Sequence, residues 1–291
     1  MTELTIFTPV YNRKLELIRL YDSLCQQTNL NFIWLIVDDG STINLKNTIS
    51  EFIKTAPFKI EYHYQINQGK HCAFNKAIDK VDTSYLMCVD SDDILSKNAV
   101  QLIYDNIPLV EQEKLIGIIS PRNKKLDLKT NKKFVKLVEI IASFNKPVEL
   151  AIIHKTSVLK KFSFPVFKHE KFFSEEYLYN KLDNIGNYLY VPTPFYYFEY
   201  LEGGLTKTIN QNWVNSPNAT YLLLKSRYNS FKHLNWKNRI YRRIRCTLIY
   251  DAFCIKNDIK NILTYNNVFL AIILLLPSYP IYLKKFKKCK G

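Results

Sequence analysis

Tyr85 to Leu95 reads YLMCVDSDDIL. An apolar run, Tyr85-Leu86-Met87-Cys88-Val89, stops at once in three carboxylates, Asp90, Asp92 and Asp93. A run of about five apolar residues bounded by polar ones marks a strand buried on both faces, the kind a parallel sheet contains. Acids at its carboxyl end sit where open α/β sheets hold their ligands. Residues two apart in extended chain point to the same side, so Asp90 and Asp92 converge. Two converging carboxylates repel unless something positive joins them, and a divalent metal carrying phosphates is the expected partner. A plainer role stands beside that one: Asp93 or Ser96 caps the helix that follows.

Working outward, the same alternation repeats. Leu4–Val10 is a short strand. Leu17, Leu20, Tyr21 and Leu24 give Lys14–Gln27 one apolar helical face. Phe32–Val37 is a second buried strand ending in Asp38-Asp39-Gly40-Ser41. A helix to about Lys54, a strand near Lys59–Tyr64, a turn at Asn67-Gln68-Gly69 and a helix from about His71 to Asp79 lead to the opening stretch. A helix over Lys97–Asn106 and a strand over Leu115–Ile119 come after it. Strand and helix alternating over short connections specify a mostly parallel sheet with helices on both faces.

The pattern then fades. Lys124–Lys136 is lysine-rich and reads as a loop or flap, Val148–Ile153 as a strand, Glu175–Asp183 as a helix and Thr193–Tyr200 as extended. From Pro217 onward the chain is helical. There Asn238–Arg245 (NRIYRRIR) is basic with apolar residues interleaved.

The chain has 291 residues, 47% of them apolar, enough to bury a full core. Its net charge of +15 is unevenly spread: residues 1–110 carry 10 Lys+Arg against 13 Asp+Glu, leaving 31 against 13 for the rest. A basic second half suggests an anionic surface or ligand there, and a lysine-rich compositional bias is the bland alternative. The six cysteines form no CxxC pair and have no zinc spacing, and Cys25, Cys72 and Cys88 read as core thiols in a reducing compartment. MTELTIFTPVYN has no signal-peptide pattern, so a cytoplasmic location is expected. The apolar run Val268–Leu276 is too short to span a bilayer as it stands, and Pro277 and Pro280 follow it. With Lys284–Lys290 behind it, Val268–Leu283 reads as a segment lying in the interface of an anionic inner-membrane leaflet. A buried C-terminal helix with a solvated basic tail is the other reading.

No GxGxxG or P-loop is present, which argues against a dinucleotide enzyme or an NTPase. TPVYNR, IVDDGST and VDSDD, in that order at three strand ends, resemble the family 2 glycosyltransferases of GT-A fold. NQGKHCAFNKA, which lies before VDSDD, is similar to the GGKHxAxNxA segment of a bacterial polysaccharide-type branch, and EKFFSEEYLYN and EYLEGGLT are similar to its later motifs. The likeness covers about residues 3 to 210. It implies a GT-A domain over 1–215, with a nucleotide-sugar half at 1–110 and an acceptor and base half at 111–215. A helical, basic, membrane-associating region over 216–291 lies outside it.

The resemblance implies a nucleotide-diphosphate sugar, with UDP as the expected carrier, held on the strand edge by Pro9, Tyr11, Arg13, Asp38, Asp39, Lys70, His71, Asp90 and Ser91. Gly204 and Thr206 belong to the loop that closes over the diphosphate. Asp90-Ser91-Asp92 matches the DxD motif, Asp92 holding Mg2+ or Mn2+ and Asp90 the ribose or a metal-bound water. The base that takes the acceptor's proton is Glu175 or Glu176. Helical spacing sets Glu175 over Leu178 and Leu182, on the inward face, and Glu176 over Tyr179, Asn180 and Asp183, which favours Glu175. Each residue also has a plain reading: Asp39-Gly40-Ser41 is a turn and helix cap, Arg13 and Lys70 are surface charges, His71 is a cap, and either Glu suits a helix's first turn.

The implied reaction is inverting, metal-dependent sugar transfer to a lipid-linked or surface-polysaccharide acceptor, with no nucleic-acid partner. A nucleic-acid-binding protein using the basic half is one alternative, weakened by the acidic strand ends. A nucleotidyltransferase is another, weakened because PVYNRKLEL is no phosphate loop.

Overall fold

The structure, a computed structural model, describes residues 3–124, 132–144, 148–198 and 208–290. The chain divides into two compact units that interleave along the sequence. Met1–Lys136, Ser143–Ser163 and Ile185–Glu199 form the first, and Leu137–Ala142, Phe164–Asn184 and Tyr200–Gly291 the second.

The first unit holds every strand among the described residues: β1 (Leu4–Val10), β2 (Phe32–Asp39), β3 (Lys59–Gln65), β4 (Tyr85–Cys88), β5 (Ile94–Leu95), β6 (Gly117–Pro121), β7 (Phe134–Val135), β8 (Leu150–Lys155), β9 (Tyr188–Tyr190) and β10 (Tyr196–Tyr197). Eight form one sheet in the order β3-β2-β1-β4-β8-β6-β9-β7, and β5 and β10 form a small antiparallel pair. β3, β2, β1 and β4 run parallel, as do β6 and β9, whereas β8 and β7 run against their neighbours. All seven residues of β1 are buried because strands flank it on both sides and helices cover both faces. β3, at the sheet's edge, is the half-exposed one.

Helices α1 (Lys14–Cys25), α2 (Lys46–Thr55), α3 (Lys70–Lys80) and α4 (Ala99–Gln112) follow successive strands. Alternation along the strands sends Leu4, Ile6, Trp34, Ile36, Tyr85 and Met87 to one face. There they share a core with Leu17 and Leu20 of α1, Phe52 of α2 and Ile103 of α4. Tyr21 stacks on Phe52 with ring centres 4.0 Å apart. The opposite face takes Phe7, whose ring meets Phe74 of α3 edge-on at 5.4 Å. Helices thus cover both faces, as the alternation predicts. The lysine-rich connection differs from expectation in part: residues 125–131 lie outside the described residues, but Phe134–Val135 pairs with β9 as β7.

The second unit is helical. It contains most of α5 (Leu137–Ser143), and α7 (Glu176–Leu182), α8 (Ile209–Asn215), α9 (Pro217–Ser230), α10 (Trp236–Lys256) and α11 (Val268–Lys285), while the one-turn α6 (Thr156–Leu159) belongs to the first. Leu178, Leu182, Leu223, Leu224, Tyr250 and Phe253 are buried. Both prolines of the apolar C-terminal segment lie inside α11, an unbroken helix of 18 residues. Only Ala271 and Ser278 of α11 are buried, and Phe269, Ile272, Ile273, Leu276, Tyr279 and Leu283 are exposed. The helix is nevertheless tied to its unit: Phe286 just beyond it is buried against Phe253 at 5.6 Å, and Lys256 donates to the Cys289 carbonyl at 2.8 Å. It is long and apolar enough to cross a membrane by length and composition.

Asp251 on α10 is buried, and neither carboxylate oxygen has a hydrogen-bond partner. Burial pushes its carboxyl from the ordinary 3.8 up to about 7. A folded value above the unfolded one means that the folded chain keeps the proton longer. The associated stability is therefore complete below about pH 4 and is lost as pH rises to about 7. Asp251→Asn is expected to remove that slope and to stabilise the protein at pH 8 on the order of 2–4 kcal/mol. Urea melts at pH 5 and pH 8 measure it, and parallel behaviour of variant and wild type would count against it.

Candidate functional site

Register gathers the strand ends. Val10 pairs with Asp38 and Asp39 with Gln65, and Val89 N–H donates to the Phe7 carbonyl at 2.8 Å, which delivers Asp90 to the same edge. Pro9 is buried at the end of β1, and Tyr11 just beyond it is half exposed. Asn12 adopts a left-handed turn, and its side-chain carbonyl accepts from Thr42 N at 2.8 Å. The VDDGS motif is thereby pinned to the YNR motif.

Asp38 and Asp39 brace this edge. Asp38 accepts from Ser41 N at 2.8 Å and from the Tyr62 hydroxyl at 3.0 Å. Burial first, then the Asp38 charge, pushes the Tyr62 phenol upward, so it remains a donor. Asp39 accepts from the Gln65 side chain at 2.7 Å, Gln68 N at 2.9 Å and Gly69 N at 2.8 Å, tying the turn before α3 to the end of β2. Gly40 between them has φ +79°, and a Cβ there would stand 2.5 Å from Asn67 N, so no side chain fits.

Lys70 opens α3, and its ammonium lies 2.5 Å from Asp90 Oδ1. Arg13 reaches Asp92 Oδ2 at 3.6 Å and Glu16 at 3.3 Å, and Arg19 donates to the Asp92 carbonyl at 3.0 Å. Burial works to raise the Asp90 carboxyl, but Lys70 and then Arg122 outweigh it and hold the group below its ordinary value. Ser91 is buried between the two acids, and His71 is buried next to Lys70 with Nε2 3.4 Å from Cys72 Sγ. The carboxylates of Asp90 and Asp92 supply hard oxygen donors, the chemistry that suits Mg2+ or Mn2+. Each already faces a cationic side chain, as the repulsion argument requires.

Asp93 departs from expectation. It caps no helix; it is turned inward, where the Tyr196 hydroxyl donates to Oδ2 at 2.6 Å and Arg122 approaches at 3.5 Å. The Asp90 N–H donates to the same hydroxyl at 3.0 Å, and the Arg122 guanidinium lies 3.8 Å over the Tyr196 ring. Burial, then the Asp90 charge, pushes the Asp93 carboxyl up to about 7, against the Tyr196 hydrogen bond and Arg122. Ser96 does not cap either: its hydroxyl donates to the Asn98 side chain at 2.9 Å. Tyr196 and Arg122 were not predicted as part of the site, because their partners lie 103 and 29 residues away.

In the second unit, Glu175 occupies the N-cap position of α7 and Glu176 is its first residue. Arg227 of α9 grips both Glu176 oxygens at 2.5 Å, with its guanidinium 5.5 Å from the Trp213 ring. Burial works to lower the Arg227 value, but Glu176 outweighs it and raises it further. Leu178 and Leu182 are buried as expected, but so are Asn180 and Asp183, so helical facing does not separate the two acids. Asp183 accepts from the N–H groups of Leu137 and Val138 at 2.8 and 2.9 Å and caps α5. Glu170, the acid of the EKF motif, caps α9 by accepting from Asn218 N and Ala219 N at 3.0 and 2.9 Å. The signal for that pair was the Ser-Pro opening of α9 with no acid of its own in the first turn. Gly204 and Thr206 lie outside the described residues.

Residues 5–159, more than half of the chain, match the sequence pattern described as Glycosyl transferase family 2. The chain belongs to that family. An uncharacterized glycosyltransferase of Rickettsia felis is 34% identical over 101 residues, which is 35% of this chain and 16% of that protein. The chain therefore spans only a small part of that relative's length. Among solved structures, S. aureus TarS 1-349 in complex with UDP-GlcNAc superposes with a TM-score of 0.59 at 14% identity, covering 98% of this chain and 92% of that one. Mannosyltransferase PcManGT from Pyrobaculum calidifontis, in complex with GDP-Man and Mn2+, gives 0.59 at 13% identity, covering 97% and 84%. At those identities the likeness is one of fold, and it extends over both units of this family 2 member.

Proposed function

We propose that the chain is an inverting, metal-dependent glycosyltransferase that moves a sugar from a nucleotide-diphosphate sugar, UDP-linked by preference, to a hydroxyl of a lipid-linked or surface-polysaccharide acceptor. The observation that carries this reading is the Asp90–Asp92 loop at the sheet's carboxyl edge, with Lys70 and Arg13 against its two acids. Residues 1–110 supply the donor side, and 111–215 the base and acceptor contacts.

Pro9, Tyr11, Asp38 and Asp39 border the base and ribose, and Ser91 and His71 line the same edge. Asp92, with Asp90, would hold Mg2+ or Mn2+, which when bound neutralises charge on the departing diphosphate. Lys70 and Arg13 exchange their carboxylate partners for phosphate oxygens as the donor enters. Glu175 takes the acceptor's proton while the acceptor oxygen attacks the anomeric carbon from the face opposite the diphosphate. The bond to the diphosphate breaks with its electrons, and the configuration inverts. Glu176, engaged by Arg227, holds the opening turn of α7 instead.

The acceptor meets the enzyme at the cytoplasmic face of an anionic membrane. The exposed apolar stripe of α11 and the exposed lysines 284, 285, 287 and 288 behind it support a peripheral association. The test is a screen of nucleotide sugars with Mn2+ or Mg2+, read as released nucleoside diphosphate. One or a few donors are expected to turn over, and EDTA is expected to stop them. Failure of every donor to bind or turn over with either metal rejects the reading.

A further inference from the structure

The basic, apolar-interleaved stretch Asn238–Arg245 is not used by the transfer proposed above. It lies in the first half of α10, which differs from the second. From Cys246 onward, Cys246, Thr247, Tyr250, Asp251, Ala252, Phe253 and Cys254 are buried. Before it, Trp236, Ile240 and Ile244 are 65%, 53% and 37% exposed, with Tyr241 at 54%. Residues 236, 240 and 244 fall four apart, so they form one stripe along the helix. A contiguous exposed apolar stripe is unusual on a soluble surface unless something covers it.

Charge identifies the covering. Between Trp236 and Tyr250 the sequence has five Lys or Arg and no Asp or Glu. Some of these are committed to the fold: Arg242 donates to the Ala142 carbonyl at 3.0 Å, and Arg243 lies 4.7 Å from the Tyr228 ring. Lys237 and Arg245 stay exposed beside the stripe, as does Lys232 just before the helix. Tryptophan at one end of the stripe, aliphatic residues along the same side and cations at the flanks match the chemistry of a headgroup layer. A protein partner of ordinary composition would not need so one-sided a charge. Stable attachment to a bilayer takes two signals, because a single modest one gives only marginal binding.

We propose that the first half of α10 is a second lipid-contact surface, seating Trp236, Ile240 and Ile244 in an anionic leaflet while Lys232, Lys237 and Arg245 meet lipid phosphates. The inference rests on the membrane association proposed above and adds a site to α11. The two contacts together hold the second unit against the leaflet through a surface that no spanning segment is needed to make.

The chain carries its own probe. Of its three tryptophans, Trp34 and Trp213 are buried and only Trp236 is exposed. Full-length protein is mixed with vesicles of phosphatidylcholine alone or with about one third phosphatidylglycerol, a range in which anionic charge attracts basic segments. Emission, acrylamide quenching and co-sedimentation are then followed. The expected result is a blue shift and quenching protection only with phosphatidylglycerol, weakened by salt. The Trp236→Ser, Ile240→Ser, Ile244→Ser triple variant is expected to lose about tenfold or more in vesicle partitioning with an unchanged thermal melt. Co-sedimentation without any change at Trp236 overturns the inference and leaves the α11 contact standing. No co-sedimentation at all overturns both. A blue shift without vesicles that grows with protein concentration overturns it in favour of a second copy of the chain. None of these outcomes depends on nucleotide-sugar turnover, so the membrane reading and the transfer reading fail separately.

Discussion

Glu175→Gln is expected to lower kcat by about a hundred- to ten-thousand-fold, with the thermal melt and the donor KM close to wild type. Glutamine keeps the shape of the side chain and removes only its ability to take a proton. The neighbouring substitution should behave in the opposite way. Glu176→Gln replaces one of the two oxygens that Arg227 holds with an amide nitrogen and removes the charge of both, which leaves the guanidinium, already near the Trp213 ring, without its ionic partner. Breaking such a pair costs roughly 2–4 kcal/mol, toward the low end of buried pairs because both side chains keep some exposure. Its signature is therefore a lower melting temperature with much of kcat retained in the folded fraction. Measuring both variants for kcat and for unfolding decides between the two acids. If Glu176→Gln is the dead but stable one, the base has been misassigned.

Asp92→Asn is expected to reduce kcat/KM by about a hundred- to a thousand-fold, because removing one stabilising contact to developing charge typically costs that much. The loop itself should survive, since Arg19 donates to the Asp92 carbonyl rather than to its side chain. The loss should be recovered in part at raised Mn2+, which distinguishes a weakened metal site from a damaged fold. Diphosphate release measured across a metal titration gives the answer, and a curve superimposable on wild type would remove Asp92 from the site.

The parallel half of the fold was legible because each element from Leu4 to Gln112 carries its own pattern. Buried strands appear as short apolar runs, and α1 shows its face at Leu17, Leu20 and Leu24. What could not be read depended on partners distant in the chain. β8 is an apolar run like the others, and nothing in Leu150–Lys155 says that it runs antiparallel between β4 and β6. β7 has two residues, too few for any period. Pro277 and Pro280 end the uninterrupted apolar run of the sequence, yet α11 continues through them, with the Ser278 hydroxyl donating to the Leu275 carbonyl at 2.6 Å. In the candidate site, spacing singled out Asp90 and Asp92, which the structure sets against Lys70 and Arg13. Asp93 was misread because its fate is set by Tyr196, and the choice between Glu175 and Glu176 rests on Arg227, 51 residues further on.

The hydroxyl of Tyr196 also orders events in time. It joins the Asp90 backbone to the Asp93 side chain across more than a hundred residues, and it lies beyond the stretch 5–159 that carries the family pattern. During synthesis the ribosome delivers β1 to β4 and the acids themselves long before this tyrosine emerges. A nascent chain halted before it would own the sheet edge and every carboxylate, but not the bond that fixes the turn between them. The aspartate loop therefore gains this bond only after the chain of the strands beneath it has been synthesised.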